Sequence, residues 1–192
     1  DTGIGIDENA ARAMAAKLAH RGPDARGIFV DADAGIGFGH TRLSIIDLSP
    51  AGAQPMTSSC GRYVITYNGE IYSSDELKPE LEALGHRFRG HSDTEVIIEA
   101  IAEWGLGATV ERLIGMFAFA VWDRKDRRLS LVRDRLGIKP LYWGRQNGRI
   151  VFASELKAFE VLPNWRPELN HDALVSYLRF AYVPSPHSIY RG

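Results

Sequence analysis

The chemistry offered by this sequence is concentrated in the segment Asn68-Gly69-Glu70, which directly follows a β-branched and aromatic run at 62–67. An asparagine amide and the next backbone N–H are two donors that can converge on one anionic oxygen, as an oxyanion hole requires. The alternative is a plain hairpin turn, because Asn-Gly is a typical dipeptide of tight β-turns. Taken alone, the segment favours the turn.

Two charged residues have the types needed to bind a free amino acid. Arg42 can hold a carboxylate through two N–H donors, although a surface ion pair with Asp24 or Asp47 is, by itself, the better-supported reading. Asp93 lies in the first turn of a predicted helix, where the helix dipole favours a carboxylate whatever its function. A functional Asp93 would bind an ammonium group instead. Together, Arg42 and Asp93 suit the two charges of an amino acid.

Other kinds of site find little support in the sequence. The six histidines are scattered, with no i, i+4 pair and no cysteine nearby, so no metal-site spacing is present. No GxxxxGK[ST] phosphate loop occurs. The single cysteine, Cys60, follows Ser58-Ser59 in a predicted loop with no activating base marked beside it, which argues against a nucleophile.

Four segments that must help to position these residues have the apolar spacing of helices. They are residues 8–19, 75–84, the segment that follows Ser92, and residues 171–180. Ser92 and Glu95 have the spacing of a capping box. Pro79 interrupts the second segment, so its regular part is expected to begin only at Pro79, and Gly85 is expected to end it.

Seven shorter runs are predicted to be strands. They are residues 27–31, 35–40, 62–67, 116–122, 128–132, 140–144 and 149–153. The last four have short connections, so antiparallel neighbours are expected among them. Two helices between two sets of strands predict an α+β layered fold.

Composition limits the possible classes of protein. The chain has 192 residues, 45% hydrophobic and 24% charged, as in one globular domain or one domain plus a fragment of a second. A net charge of −1 gives no electrostatic footprint for nucleic acid or an anionic membrane. No transmembrane run or signal peptide is apparent, and a single cysteine fits a reducing compartment, so a cytoplasmic location is expected.

Eight motifs, taken in order, resemble the N-terminal domain of asparagine synthetases. They occupy residues 20–24, 39–48, 54–56, 67–72, 91–95, 115–119, 133–142 and 153–157, so the likeness spans most of the chain. That domain is a class II glutamine amidotransferase, a branch of the N-terminal-nucleophile hydrolases. The segment 133–141 is shared in form with other amidotransferases, whereas 42–47 and 54–56 point to the asparagine synthetase branch.

The resemblance implies a role for each matching residue. Asn68 and the Gly69 N–H would form the oxyanion hole, and Arg42 would bind the glutamine carboxylate. Asp93 and Glu70 would face the α-amino group. The side chains implied to line the pocket beside them are Leu43, Ile45 and Ile46.

The implied fold is the four-layer αββα sandwich of the N-terminal-nucleophile hydrolases, and the implied reaction is glutamine hydrolysis. A cysteine at the mature N-terminus attacks the side-chain amide, with its own α-amino group as base. Water then cleaves the thioester to glutamate. The ammonia reaches a synthetase domain that amidates aspartate with ATP, although related synthetases aminate other carboxylates with the same glutaminase half.

The resemblance also divides the chain and assigns its partners. Residues 1–168 are expected to form the glutaminase domain, and 169–192 a linker with the start of the synthetase domain. No cofactor is expected in the glutaminase domain, since ATP and Mg²⁺ belong to the synthetase domain. The expected partners are glutamine and that domain of the same chain, without nucleic acid or membrane; a homodimer is compatible with the resemblance.

The first residues depart from the family pattern. Family members open with Met-Cys-Gly-Ile-Ala-Gly and a first strand, whereas Asp1-Thr2-Gly3 aligns after that strand, so the catalytic cysteine is not in this sequence. Thr2 is no substitute, and the chain by itself is expected to be inactive. Three explanations stay open: further N-terminal residues in the natural protein, a non-catalytic binding module, or a structural domain that docks a synthetase. The retained Arg42, Asn68 and Asp93 favour the first.

Overall fold

A computed structural model describes residues 8–44, 49–146 and 148–191. In chain order the elements are α1 (Glu8–Lys17), β1 (Ala25–Asp31), β2 (Ile36–Arg42), β3 (Met56–Thr57), β4 (Tyr63–Ile71), α2 (Ser74–Ala83), α3 (Asp93–Trp104), α4 (Leu106–Arg112), β5 (Gly115–Asp123), β6 (Arg128–Arg133), β7 (Tyr142–Gln146), β8 (Arg149–Ala153) and α5 (His171–Phe180). Short 3-10 turns occupy Ala19–Arg21, Pro50–Gly52 and Leu156–Val161.

The central sheet is antiparallel, in the order β3-β4-β5-β6. Alternate residues of β4 face opposite sides of this sheet, as the period of a strand requires. Ile65, Tyr67 and Ile71 face the helices α2 and α3, where they pack in the main core with Leu81 and Ile97. One apolar face of the sheet is therefore covered by helices.

The other face of the central sheet packs on two hairpins, β1-β2 and β7-β8. Val64, Ala120 and Trp122 contact Phe38 of β2, with Phe152 of β8 at the edge of the same cluster. Helix α1 covers the β1-β2 hairpin, and it comes so close that a Cβ on Gly39 would lie 2.7 Å from the Ala11 carbonyl oxygen. The layers are helix, sheet, strand hairpins and helix, which agrees with the αββα sandwich.

The tight turn at Asn68-Gly69 is the main local prediction that the structure overturns. Strand β4 continues through both residues to Ile71, with Asn68 paired to Ala118 and Gly69 to Phe117. The long partner strand β5 outweighs the local turn preference, since pairing continues along the whole of β4. Gly69 serves a close approach of the strands, because a Cβ there would lie 2.4 Å from the Met116 carbonyl oxygen.

Two predictions about helix starts also need correction. Helix α2 begins at Ser74 and contains Pro79, because Leu77 and Leu81 are anchored in the core on both sides of the proline. Ser92 caps α3 by accepting the Thr94 N–H, but Glu95 does not complete a capping box. Its carboxylate instead accepts the backbone N–H groups of Arg89 and Gly90.

Several predictions about the elements are confirmed. Gly85 has a positive φ of 99° just after α2, as a glycine that ends a helix does, and α5 spans the predicted residues. Within the described ranges, no helix has the length and apolar character needed to cross a bilayer. The domain boundary at 168–169 and the cytoplasmic location stay predictions.

Candidate active site

Strand β3 pairs only with Val64 and Ile65 of β4, so beyond these residues the side of β4 away from β5 has no partner strand among the described residues. This side, the outer edge of β4, presents backbone N–H groups at every second residue. Even-numbered residues bond toward β5: Arg124 N–H donates to the Arg62 carbonyl at 3.0 Å, and Tyr72 N–H to the Ile114 carbonyl at 2.8 Å. The N–H groups of the odd-numbered residues therefore point away from β5. Gly69 is one of these residues, so its N–H is directed to the outer edge.

Asn68 supplies a second donor on the neighbouring position of the same strand. Its side chain lies on the face of the sheet that meets the hairpins, and its Nδ2 is buried. Among the described residues, Nδ2 of Asn68 is the one buried side-chain nitrogen or oxygen without a hydrogen-bond partner. Buried polar groups are nearly always bonded, so an orphaned donor marks a place where a ligand oxygen fits.

Asp93 reaches the same strand edge from the N-terminus of α3. Its Oδ2 accepts the Tyr67 hydroxyl at 2.6 Å and the Ile71 N–H at 3.0 Å. Burial raises the pKa of Asp93 above its ordinary value, and hydrogen bonds from Tyr67, Ile71 and the Thr94 N–H act in the opposite direction. The pKa of Tyr67 is also raised, first by burial and then by the Asp93 charge.

Arg42 ends strand β2. Its guanidinium donates to the Ser49 carbonyl at 3.0 Å. Asp24, one of the two predicted ion-pair partners, accepts the Ser44 N–H at 2.7 Å through its carboxylate. The other predicted partner, Asp47, lies outside the described residues. The neighbouring His40 contacts Thr66 Oγ1 at 3.2 Å, and its pKa is lowered to about 4 by burial and by the Arg42 charge.

One cleft, with a volume of about 1490 Å³, joins these groups. Of the eight predicted site residues, six line it: Arg42, Leu43, Asn68, Gly69, Glu70 and Asp93. The remaining two, Ile45 and Ile46, lie outside the described residues. Leu43 and Glu70 are exposed to solvent. The residues that line the cleft thus include a guanidinium group, two carboxylates and two amide donors.

Two side chains that support the site had no role assigned to them from the sequence. Tyr67 appeared only in the β-prone run 62–67 and in the motif 67–72, although strand alternation from Ile65 predicts that it lies on the helix side of the sheet. Gln54 appeared only within a motif. Its Oε1 accepts the Tyr67 N–H at 2.6 Å, and its Nε2 donates to Thr94 Oγ1 at 3.2 Å.

The site contains no candidate metal cluster within the described ranges, where no group of three or more His, Cys, Asp or Glu residues is placed to hold an ion. Cys60 is exposed on the turn that links β3 to β4, and it is not among the residues that line the cleft. The groups that do line the cleft, a guanidinium, two carboxylates and the donors of Asn68 and Gly69, have the chemistry to recognise an amino acid and to stabilise an oxyanion.

Comparison with known sequences gives one family and a consistent set of relatives. The family model described as a glutamine amidotransferase domain matches residues 3–192. Glutamine-hydrolysing asparagine synthetase 1 of Bacillus subtilis is 42% identical over 182 residues, covering 95% of this chain and 28% of that protein. A putative glutamine-hydrolysing asparagine synthetase of Methanocaldococcus jannaschii is 36% identical, covering 91% of this chain and 37% of that protein. The chain spans well under half of these curated relatives.

Comparison with solved structures supports the fold. Glutamine phosphoribosylpyrophosphate amidotransferase from B. subtilis superposes with a TM-score of 0.68 at 23% identity, covering 82% of this chain and 42% of that chain. The likeness confirms the layered αββα architecture.

Proposed function

Because this chain belongs to the glutamine amidotransferase domain family, we propose that it is the glutamine-hydrolysing part of a glutamine-dependent asparagine synthetase. In this role it binds glutamine and stabilises the oxyanion formed when the side-chain amide is attacked. Family membership and the asparagine synthetase relatives do not favour a non-catalytic module.

The observation that carries this proposal is the unbonded Nδ2 of Asn68 beside the outward Gly69 N–H. Two donors held on adjacent residues of a paired strand need no reorganisation when negative charge develops on a substrate oxygen. An ordinary hairpin turn, the alternative suggested by the dipeptide, would have left the asparagine at the solvent-exposed tip. In β4 the amide is instead buried where an amide substrate can reach it.

The charges of the cleft support binding of a free amino acid. We assign Arg42 to the α-carboxylate, and Asp93 with Glu70 to the α-ammonium. We assign three apolar side chains to contact the CH₂ groups of glutamine: Leu43, Ile45 and Ile46. Holding both ends of glutamine would place its side-chain amide at a fixed position along β4, next to the donors of Asn68 and Gly69.

The reaction needs a nucleophile besides these groups. The N-terminal cysteine that the family resemblance implies is not one of the 192 residues. Its α-amino group would take the thiol proton while the sulfur attacks the amide carbon and the amide oxygen gains the negative charge. The same proton would pass to the nitrogen, which would leave as ammonia, and water would then cleave the thioester to glutamate and the free thiol. This chain's own contribution is to bind glutamine and to lower the energy of the charged intermediate.

We propose that ammonia passes to a synthetase domain of the same polypeptide, which amidates aspartate with ATP and Mg²⁺. The exposed apolar side chains of α5 support such a neighbour: Val175 is 64% exposed and Leu178 is 76% exposed. Apolar groups gathered on one exposed helix are a feature of docking surfaces.

The test uses the full-length protein and measures both glutamate release and asparagine formation. Asn68→Ala should lower glutamine-dependent turnover by about 10²–10³-fold, the usual loss for one oxyanion donor. Asn68→Asp, which keeps the shape but replaces the donor with a carboxylate, should lose at least as much. Asparagine formation from added ammonia should be unchanged in both variants.

Two outcomes would contradict the proposal. If the wild-type protein releases no glutamate from glutamine, the glutaminase function is wrong. If it does so and Asn68→Ala retains full turnover, the oxyanion assignment is wrong while the glutaminase function stands.

A further inference from the structure

The outer edge of β4 carries a hydrogen-bonded frame around the Gly69 N–H. The N–H groups of Tyr67, Gly69 and Ile71 all point to this edge. The first is held by Gln54 Oε1 at 2.6 Å and the last by Asp93 Oδ2 at 3.0 Å. The Gly69 N–H lies between two anchored neighbours.

The two anchors are also connected to each other. Gln54 Nε2 donates to Thr94 Oγ1 at 3.2 Å, and Thr94 follows Asp93 in the first turn of α3. From the other side, the Tyr67 hydroxyl donates to Asp93 Oδ2 at 2.6 Å. Gln54, Thr94, Asp93 and Tyr67 thus form a closed ring, which we call the edge frame.

Three of the four members of the edge frame are buried, and Gln54 is partly buried. Tyr67 is 4% exposed, Asp93 6% and Thr94 2%. In such a low-dielectric environment a hydrogen bond to a carboxylate is stronger than in water, and few alternative partners are available. The bond from Tyr67 therefore selects one orientation of the Asp93 carboxylate.

We propose that Tyr67 and Gln54 are positioning residues of the glutamine site, each acting on a different end of the substrate. Tyr67 orients Asp93 toward the α-ammonium. Gln54 fixes the backbone beside Gly69, so that its N–H is aimed at the oxyanion. This inference rests on the proposed glutaminase function, and it adds two residues that do not themselves touch the substrate.

The two roles differ in the kinetic constant that they control. An interaction with the α-ammonium is made equally in the ground state and the transition state, so its loss raises KM. Support for the oxyanion donor matters when charge develops, so its loss lowers kcat. The two variants should therefore be distinguishable by kinetics and by choice of substrate.

The first experiment compares Tyr67→Phe with Tyr63→Phe in the full-length protein. Tyr63 lies on the same face of β4 as Tyr67 but is not part of the edge frame. Its replacement by phenylalanine also removes only a hydroxyl group. Two substrates are used: L-glutamine and 4-carbamoylbutanoate, which is glutamine without its α-amino group.

Tyr67→Phe should raise the KM for L-glutamine about tenfold, the usual effect of one lost hydrogen bond to a charged group. Its kcat should stay within about twofold, and kcat/KM for 4-carbamoylbutanoate should be unchanged, since that substrate has no ammonium for Asp93 to bind. Tyr63→Phe should match the wild type with both substrates.

The second experiment replaces Gln54. Gln54→Leu should lower kcat about tenfold with both substrates, since both form the same oxyanion and one hydrogen bond near it is lost. Gln54→Glu keeps an acceptor for the Tyr67 N–H and can accept from the Thr94 hydroxyl, so it should recover most of kcat. A role confined to stability would leave the kcat of folded Gln54→Leu equal to that of the wild type.

The outcomes separate the inference from the function on which it rests. No glutamine hydrolysis by the wild type would overturn both. Hydrolysis by the wild type, with Tyr67→Phe equal to Tyr63→Phe or equally impaired on both substrates, would overturn the role of Tyr67. Equal loss of kcat in Gln54→Leu and Gln54→Glu would overturn the role of Gln54.

Discussion

At the scale of single residues, the proposed chemistry depends on three side chains that line the cleft: Asn68, Arg42 and Asp93. Asn68 can donate to an oxyanion, and Arg42 and Asp93 match the two charges of an amino acid. Their gathering at one cleft depends on pairing between distant segments, which spacing alone does not reveal. Tyr67 was missed because its role is a contact with Asp93, 26 residues away in sequence.

Arg42 gives a test of how the substrate carboxylate is held. Arg42→Lys keeps the positive charge but replaces a planar fork of donors by a single ammonium. If the proposed role is right, the KM for glutamine should rise about tenfold, as expected for one lost charge-assisted hydrogen bond, while kcat changes little. Steady-state glutaminase kinetics of the full-length protein measure both constants. An unchanged KM would exclude a two-donor contact with the substrate.

His40 predicts how stability depends on pH. Its pKa is about 4 in the folded chain, against an ordinary value of 6.5. The unfolded chain therefore binds more protons between these values, so stability should fall as the pH falls from about 6.5 to 4. The contribution is up to about 3 kcal/mol.

The matched variant for this effect is His40→Asn, which can still bond Thr66 but does not titrate. Urea unfolding at pH 7 and pH 4.5 should show a smaller loss of stability in the variant than in the wild type. Equal losses in both proteins would show that other groups control stability in this pH range.

At the scale of elements, apolar periodicity predicted most of the helices and strands, because these segments bury one face each, but it did not predict α4 or β3. Local preferences failed where another hydrogen-bonding partner overrides them. A turn was expected at Asn68-Gly69, but both residues lie within strand β4, because β5 pairs along the whole length of β4. Glu95 was expected to complete a capping box, but its carboxylate accepts the backbone N–H groups of residues 89 and 90 instead. The pairing with β5 joins segments that are distant in sequence, whereas Arg89 and Gly90 precede Glu95 by only six and five residues.

The loop after β6 is organised by one residue, Asp134. Asp134 accepts the backbone N–H groups of Phe117, Leu136, Ile138 and Lys139 through its two carboxylate oxygens. Burial acts to raise the pKa of Asp134, but these bonds prevail and the pKa is lowered. The loop places Lys139 and Pro140 on the cleft wall.

We expect Asp134→Ala to lower the free energy of unfolding by about 3–5 kcal/mol, because several N–H groups lose their partner. Asp134→Asn keeps one acceptor oxygen and should lose less. Hydrogen exchange offers an independent check: although the Leu136 side chain is 86% exposed, the amides of residues 136, 138 and 139 should exchange slowly in the wild type and quickly in Asp134→Ala. Fast exchange in the wild type would contradict this account.

At the scale of the whole molecule, the layered architecture followed from the order of the elements, with two helices between two sets of strands. The surface of the fold was harder to anticipate. Helix α5 was predicted at its correct position, but the exposure of its apolar side chains, such as Val175 and Leu178, was not. The proposed synthetase domain would cover them.

Helix α5 therefore gives a prediction about the complete protein. Leu178→Glu should reduce the asparagine formed per glutamine hydrolysed, because a buried charge would weaken the proposed contact with the synthetase domain. His171→Glu, on the same helix but at an exposed polar position, should leave that ratio unchanged. An unchanged ratio in Leu178→Glu would indicate that α5 does not couple the two domains.

The unbonded Nδ2 of Asn68 has a further consequence for the evolution of this fold. A buried donor without a partner costs about 1–3 kcal/mol, so the fold is less stable with Asn68 than it would be with an apolar residue at this position. Asn68→Ala should then unfold at an equal or higher urea concentration than the wild type, while glutamine turnover collapses. Selection for stability alone would remove this asparagine, and only selection for turnover would retain it.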